Sequence, residues 1–185
     1  GRTWLQWNGK FRDEIRRFVK SDPDLIGTLM ARLYGSDDLF PQDLQLAYRP
    51  YQSVNYVCSH DGFNLKDLVS YNQKHNSDGG TDDNYSWNCG WEGDDNVPAE
   101  VADLRRRQVK NFCALVMLAN GTPMFCMGDE FMNTQRGNNN PYRVDNEITW
   151  LDWTRLEQNR EVFRFFKSMI AFRKAHPSIG RATFW

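Results

Sequence analysis

Nowhere in these 185 residues do roughly 18 apolar residues run uninterrupted, so no membrane-spanning helix is expected. Neither sign of charge dominates: 23 basic residues stand against 24 acidic ones, which leaves no electrostatic footprint for nucleic acid or an anionic membrane. A neutral substrate suits that balance better. Cysteine is scarce, and Cys58, Cys89, Cys113 and Cys126 lie far apart without a Cys-x-x-Cys pair, which argues against a zinc ribbon or a dithiol redox motif. Free thiols are the expectation, because Cys113 falls on an apolar helix face and Cys126 in what reads as a buried strand, although the even count leaves two disulfides formally open. No charged-then-apolar leader opens the chain, an absence only half informative since Gly1 is not an initiator Met. Internal repeats, low-complexity tracts and an interdomain linker are all missing.

Aromatic residues, by contrast, are frequent: seven Trp, seven Tyr and twelve Phe, many beside Asn, Asp or Gly. A flat ring packs on the apolar C–H face of a sugar while polar neighbours take its hydroxyls, so this pattern fits a carbohydrate site as well as it fits core packing. With 40% hydrophobic and 25% charged residues, the chain can build one substantial core.

Phe11, Ile15, Phe18 and Val19 form one apolar stripe among charged residues and predict a helix over 11–20. Ser21-Asp22-Pro23 reads as the start of a second, short helix carrying Leu25, Leu29 and Leu33 and stopped by Gly35. Residues 36–50 are irregular, with Asp37-Asp38, Pro41 and Pro50 as breakers. A strand is predicted over 53–58 and a short helix over 63–71, followed by a long polar loop over 72–98, a length uncommon unless the loop binds or covers something. Residues 102–120 read as a helix with a basic first half and an apolar second half, closed by Asn120-Gly121. A buried parallel strand over 122–127 ends in Gly128-Asp129-Glu130. A third loop over 133–152 precedes a helix over 159–176, with Val162, Phe166, Met169, Ile170 and Phe172 marking its buried side.

The junction after Ser53-Val54-Asn55-Tyr56-Val57-Cys58 is the most informative point. His60-Asp61-Gly62-Phe63 sets an imidazole and a carboxylate where a strand hands over to a loop, the place where catalytic groups converge in β/α barrels. The competing reading is an Asp that caps the helix beginning near Phe63. Further motifs are Trp7-Asn8-Gly9-Lys10-Phe11-Arg12-Asp13, Leu65-Lys66-Asp67-Leu68 through Tyr71-Asn72, Trp87-Asn88-Cys89-Gly90-Trp91-Glu92-Gly93, Gly121-Thr122-Pro123-Met124 and Gly137-Asn138-Asn139-Asn140-Pro141-Tyr142. Together they resemble the isoamylase and glycogen-debranching enzymes of the α-amylase clan, over about residues 4–180.

That resemblance implies an α/β fold: part of a (β/α)8 TIM barrel, roughly its sixth to eighth β/α units with long loops. Residues 1–180 would be the carboxyl-terminal part of the catalytic domain, and 181–185 the possible start of a following β domain. It implies a retaining glycoside hydrolase acting on α-1,6 branch linkages of glycogen, amylopectin or limit dextrins. Asp61 takes the role of the transition-state-stabilising acid, and His60 that of a hydrogen-bonding partner on the same sugar. The nucleophilic Asp and proton-donating Glu of the clan follow earlier strands, and Glu14, Glu92, Glu100 and Glu130 do not match the donor motif. The expected partners are thus an α-glucan and the remainder of the parent barrel, and the 185 residues alone are expected to be inactive. No cofactor or resident metal is implied; Asp78, Asp82 and Asp83 offer oxygen ligands but miss the calcium-loop spacing.

For the remaining positions two readings stand side by side. Trp87 and Trp91 are either stacking platforms for substrate or pins for the long loop. Asn139, Asn140 and Tyr142 either line a glucan groove or serve turn chemistry. Asp129-Glu130 is either a rim element or a partner of nearby backbone. The alternatives to debranching are another α-glucan hydrolase or transferase of the clan and a glucan-binding module without catalysis. A plant host would place such a protein in the plastid and a bacterium in the cytoplasm.

Overall fold

In the computed structural model, which describes residues 3–40 and 48–184, the chain builds a parallel sheet from three very short strands. They are β1 (Gln6–Trp7), β2 (Ser53–Asn55) and β3 (Thr122–Pro123), in the order β1-β2-β3. Gln6 pairs with Ser53 and Trp7 with Val54, while Val54 pairs with Thr122 and Asn55 with Pro123. Long, helix-containing connections between parallel neighbours make this an α/β architecture. The first strand is not apparent in the sequence, because two residues carry no periodicity. The strand expected over 53–58 stops at Asn55, and the one over 122–127 at Pro123.

Ladders this short contribute few backbone bonds, and a buried chain of side-chain amides and hydroxyls reinforces them. Asn8 Nδ2 donates to Ser36 Oγ (2.9 Å) and Ser53 Oγ (2.8 Å). Ser53 Oγ donates to Asn55 Oδ1 (2.8 Å), and Asn55 Nδ2 donates to the carbonyl of Asn120 (2.9 Å). Each member is buried, so each bond acts in a low dielectric and is costly to leave unmade. Gly121 completes the arrangement: its φ of +134° favours glycine, and a Cβ there would stand 2.4 Å from Asn55 Nδ2.

The residues group into two compact units, neither continuous in sequence. The first comprises Gly1–Val57, Phe112–Met124 and Ser168–Trp185; the second comprises Cys58–Asn111 and Phe125–Lys167. In the first unit α1 (Gly9–Val19) starts at Asn8, whose Oδ1 accepts from Phe11 N (2.8 Å), and buries Phe11 and Ile15 as the stripe predicts. Helix α2 (Ile26–Leu33) begins later than Ser21-Asp22-Pro23 suggested and has no side-chain cap. Asp22 is occupied by Arg17 (3.0 Å), and Ser21 and Asp24 take left-handed backbone angles that turn the chain before the helix can start. The proposed breaker Pro41 lies outside the described residues, as does Trp185.

Helix α4 (Ala99–Leu118) buries Val109 in the second unit and Phe112, Cys113, Val116 and Met117 in the first. In the first unit its last carbonyls are closed by Arg173, whose Nη1 donates to Met117 O (2.6 Å) and Ala119 O (2.8 Å). Helix α6 (Arg160–Ala175) matches the helix expected over 159–176, and a short helix α5 (Thr154–Gln158) that the sequence pattern does not show precedes it. Val162 and Phe166 are buried, but Phe172 is 44% exposed and stacks on His176. It falls off the helical stripe that 162, 166, 169 and 170 share with Arg173. None of the four cysteines is joined in a disulfide; Cys126 is half-buried and outside any strand, not inside one as expected.

The second unit contains α3 (Leu65–Leu68), the first part of α4, α5 and the first half of α6, together with its loops. Within it the carboxylate of Asp67 is fully buried and grips the loop that follows Asn133. Oδ1 accepts from the Thr134 hydroxyl, and Oδ2 accepts from Gln135 N (2.9 Å) and Gly137 N (3.1 Å). Burial raises its pKa to about 6, against the opposing pull of Thr134, the Gly137 amide, Lys66 and the Gln135 amide. Gly137 has no room for a side chain, since a Cβ would meet the Tyr71 ring at 2.9 Å.

Two stability measurements check these assignments. Asn8→Ala removes a cap and two buried acceptors' donor, and the expected loss is about 2–4 kcal/mol in urea unfolding. At Asp67, the native state binds a proton more tightly than the unfolded chain between pH 3.8 and about 6, so its contribution makes stability fall as pH rises through that window. Asp67→Asn keeps an oxygen for the two amides and an Nδ2 for Thr134 Oγ1, and it is expected to fold while abolishing that part of the pH slope. Asp67→Ala leaves three donors unpaired and is expected to cost about 3 kcal/mol or more.

Candidate functional site

The His60-Asp61 pair follows β2 after four residues of further chain, with Nε2 and Oδ2 3.2 Å apart. Both side chains are exposed, at 72% and 74%. Their backbone is nevertheless fixed: Ser59 Oγ donates to Asp61 O (3.3 Å), and Gly62 N donates to Asn139 O (3.0 Å). Immediately downstream Phe63 is fully buried and Asn64 caps α3, its Oδ1 accepting from Asp67 N (2.9 Å). The helix cap for which Asp61 was the candidate is therefore supplied by Asn64. What remains at Asp61 is a solvent-facing carboxylate steadied by an imidazole, placed to accept hydrogen bonds from hydroxyl groups.

The loop 137–142 stands next to this pair through the Gly62–Asn139 bond. Asn139, expected along a glucan groove, is buried: its amide N donates to Asn76 Oδ1 (2.9 Å), and its Nδ2 donates to Thr81 O (2.6 Å) and Asn84 Oδ1 (3.2 Å). Its side chain laces two loops together, the turn-chemistry reading. Asn140 is half-buried and donates from Nδ2 to Asp78 O (3.0 Å). Tyr142 is 73% exposed, with the Arg143 guanidinium 5.5 Å from its ring centre. Of the three, Tyr142 presents the largest free face.

The loop 72–98 is held from inside by Arg105, which the sequence reading passed over. Its guanidinium is buried and donates to the carbonyls of Gly93 (2.8 Å), Asn88 (3.1 Å) and Trp91, and to Asp94 (3.2 Å). The signal was present: Arg105 shares a helical stripe with Val109, Phe112, Cys113 and Val116. Asp94 also pairs with Lys66, whose pKa is lowered by burial despite that carboxylate. Trp87 is half-buried and tied through its backbone to Leu68 O (3.1 Å), while Trp91 is 38% exposed and donates from Nε1 to Asp95 O (2.9 Å). Both tryptophans sit within a pinned loop, and each keeps part of a ring face in solvent.

Several other carboxylates of this unit accept from backbone amides. Asp129 accepts from Leu65 N and Cys126 N (both 3.0 Å), and Glu130 accepts from Gly128 N (2.9 Å). Burial opposes the charge of Glu92, but the amides of Asn72 and Gln73, the Asn88 side chain and His75 outweigh it and hold its pKa below the usual range. Asp82 pairs with Lys74 (2.7 Å), and among the described residues no group of three His, Cys, Asp or Glu side chains is arranged to hold a metal ion. No helix among them is long and apolar enough to cross a membrane.

No family model matches the sequence. Individual relatives do. The chain is 49% identical to Isoamylase 3, chloroplastic, of Oryza sativa over 188 residues, which is 98% of this chain and 24% of that protein. It is 42% identical to the Glycogen operon protein GlgX homolog of Mycobacterium tuberculosis, covering 98% of this chain and 26% of the relative. Among solved structures, the pullulanase of Anoxybacillus sp. LM18-11 matches 97% of the chain at 26% identity with a TM-score of 0.73, the match covering 22% of that protein. The Paenibacillus barengoltzii pullulanase complexed with maltohexaose and α-cyclodextrin matches at 25% identity and the same TM-score, over 97% of this chain and 25% of its own. The chain spans about a quarter of the length of the curated relatives it matches. Along nearly all of its own length it is homologous to the isoamylase and GlgX-type glycogen-debranching proteins of the α-amylase clan.

Proposed function

We propose that these residues are part of a retaining glycoside hydrolase that cleaves α-1,6 branch linkages in glycogen, amylopectin or limit dextrins. In this reading β1, β2 and β3 are the sixth to eighth strands of a (β/α)8 barrel, and the nucleophilic Asp and acid Glu come from strand ends outside the 185 residues. The observation that carries it is Asp61: an exposed carboxylate, paired with His60 and freed from any capping duty, on a backbone fixed through Gly62. Support comes from the isoamylase and glycogen-operon relatives and from pullulanases solved with maltohexaose and maltotetraose.

Hydrolysis with retention needs a nucleophile and a general acid on either side of the bond, with charge building on the ring as it becomes oxocarbenium-like. Asp61 accepts hydrogen bonds from the ring's secondary hydroxyls and sets its negative charge against that developing positive charge, while His60 holds the carboxylate through one ring nitrogen and hydrogen-bonds the same sugar through the other. Trp87, Trp91 and Tyr142 offer partly exposed rings for neighbouring glucosyl units, and Asn140 adds a polar partner. Asn139 supports this surface from below rather than touching sugar. The α-glucan is the partner, and the compartment follows the host: the plastid in a plant, the cytoplasm in a bacterium.

The test uses the complete reading frame that contains these residues, assayed for release of linear chains from amylopectin. The complete protein is expected to debranch, the isolated 185 residues are not, and Asp61→Asn is expected to lower kcat by about a hundredfold or more with the fold intact. An Asp61→Asn protein with near-normal kcat removes Asp61 from the chemistry.

A further inference from the structure

In the second unit, the stretch that begins at Thr134 and ends in α5 encloses a pocket of about 230 Å³, walled by Trp150, Arg136, Glu147, Asp152 and Arg155. That volume lies below the roughly 300–1,000 Å³ typical of sites for drug-sized ligands, so it has room for one ring rather than a chain. Two guanidinium groups face two carboxylates, and the charges balance. A balanced lining gives an ion no net attraction, and four charged groups in the wall oppose a purely apolar guest.

The walls are also held in place. Trp150 is 59% exposed, yet its Nε1 donates to Asp145 Oδ1 (2.8 Å) and its amide to Asn146 O (3.0 Å), which fixes the plane of the indole. Arg155 Nε donates to Met132 O (2.7 Å), and Asp152 N to Asn133 Oδ1 (2.9 Å). Arg136 and Glu147 meet at 3.6 Å with both side chains 60% exposed, a loose pair whose remaining donors and acceptors face water. A fixed flat apolar face beside planar donors and acceptors of no net charge matches a neutral ring with an apolar face and a hydroxylated rim.

We propose that this pocket binds one glucosyl ring of an α-glucan, a ring other than the one served by His60 and Asp61, neither of which lines it. The ligand class rests on the debranching reading above. The pocket adds a hold on the glucan remote from the bond being broken, so its loss weakens binding of long chains rather than the chemical step.

Calorimetric titration of the complete protein with maltohexaose tests this, using wild type, Trp150→Ala, Trp150→Phe and Arg136→Gln. Trp150→Ala is expected to bind about five- to tenfold more weakly. Trp150→Phe is expected to recover most of that loss, Arg136→Gln to weaken binding severalfold, and all three to keep kcat on saturating amylopectin. Unchanged affinity in both Trp150→Ala and Arg136→Gln overturns the pocket while leaving the debranching reading intact. A wild-type protein that binds no maltohexaose overturns both. Should Trp150→Ala fail to fold, the Arg136→Gln titration decides.

Discussion

The buried carboxylate of Asp67 is the constraint on which the second unit depends. Residues 133–152 contain no helix longer than a turn and no strand, so their backbone donors have no ladder to satisfy them. Asp67 takes two of those donors and a hydroxyl, which fixes residues 134–137. The next residues then reach Asn76, Thr81 and Asn84 through Asn139, and Asn139 O receives Gly62 N. One buried charge thus sets, through this chain of hydrogen bonds, the position of the backbone that presents Asp61.

Arg105 does the complementary work with the opposite sign. Where Asp67 collects donors, Arg105 collects the acceptors of residues 88–94, and the buried Lys66 and the partly exposed Asp94 complete a small ionic group around it. Loops of this length are usually mobile because nothing offsets the entropy of ordering them. Here buried charges offset it, since irregular backbone offers unpaired amides and carbonyls that a guanidinium or a carboxylate can satisfy away from water. The arrangement leaves Trp87, Trp91, Tyr142 and Trp150 on ordered loops with parts of their rings exposed, a polar and aromatic surface suited to a neutral polyhydroxyl ligand.

Sequence patterns revealed the helices well and the strands poorly, for physical reasons. The stripes in α1 and α4 are long enough to show a 3.6-residue period, whereas Gln6–Trp7 and Thr122–Pro123 are too short to show any. Residues 56–58 and 124–127 look like strand because they are apolar, yet they leave the ladder. His60-Asp61 was legible from its place after a strand, and the family resemblance followed from motifs along most of the chain. Asn139 stays open between groove and turn chemistry in the sequence, because a polar residue in an Asn-rich loop gives no sign of its burial. Asp67 was invisible for the same reason: an Asp within a short helix looks like a solvated one until the loop it holds is seen.

A crystal structure of the complete protein with maltohexaose tests whether Asp61 and His60 meet a glucosyl ring. Asp61 and His60 are expected within about 2.6–3.2 Å of hydroxyls on one ring, with residues 134–140 in the arrangement described above. A glucan bound elsewhere, with Asp61 left in solvent, would overturn the role proposed for Asp61.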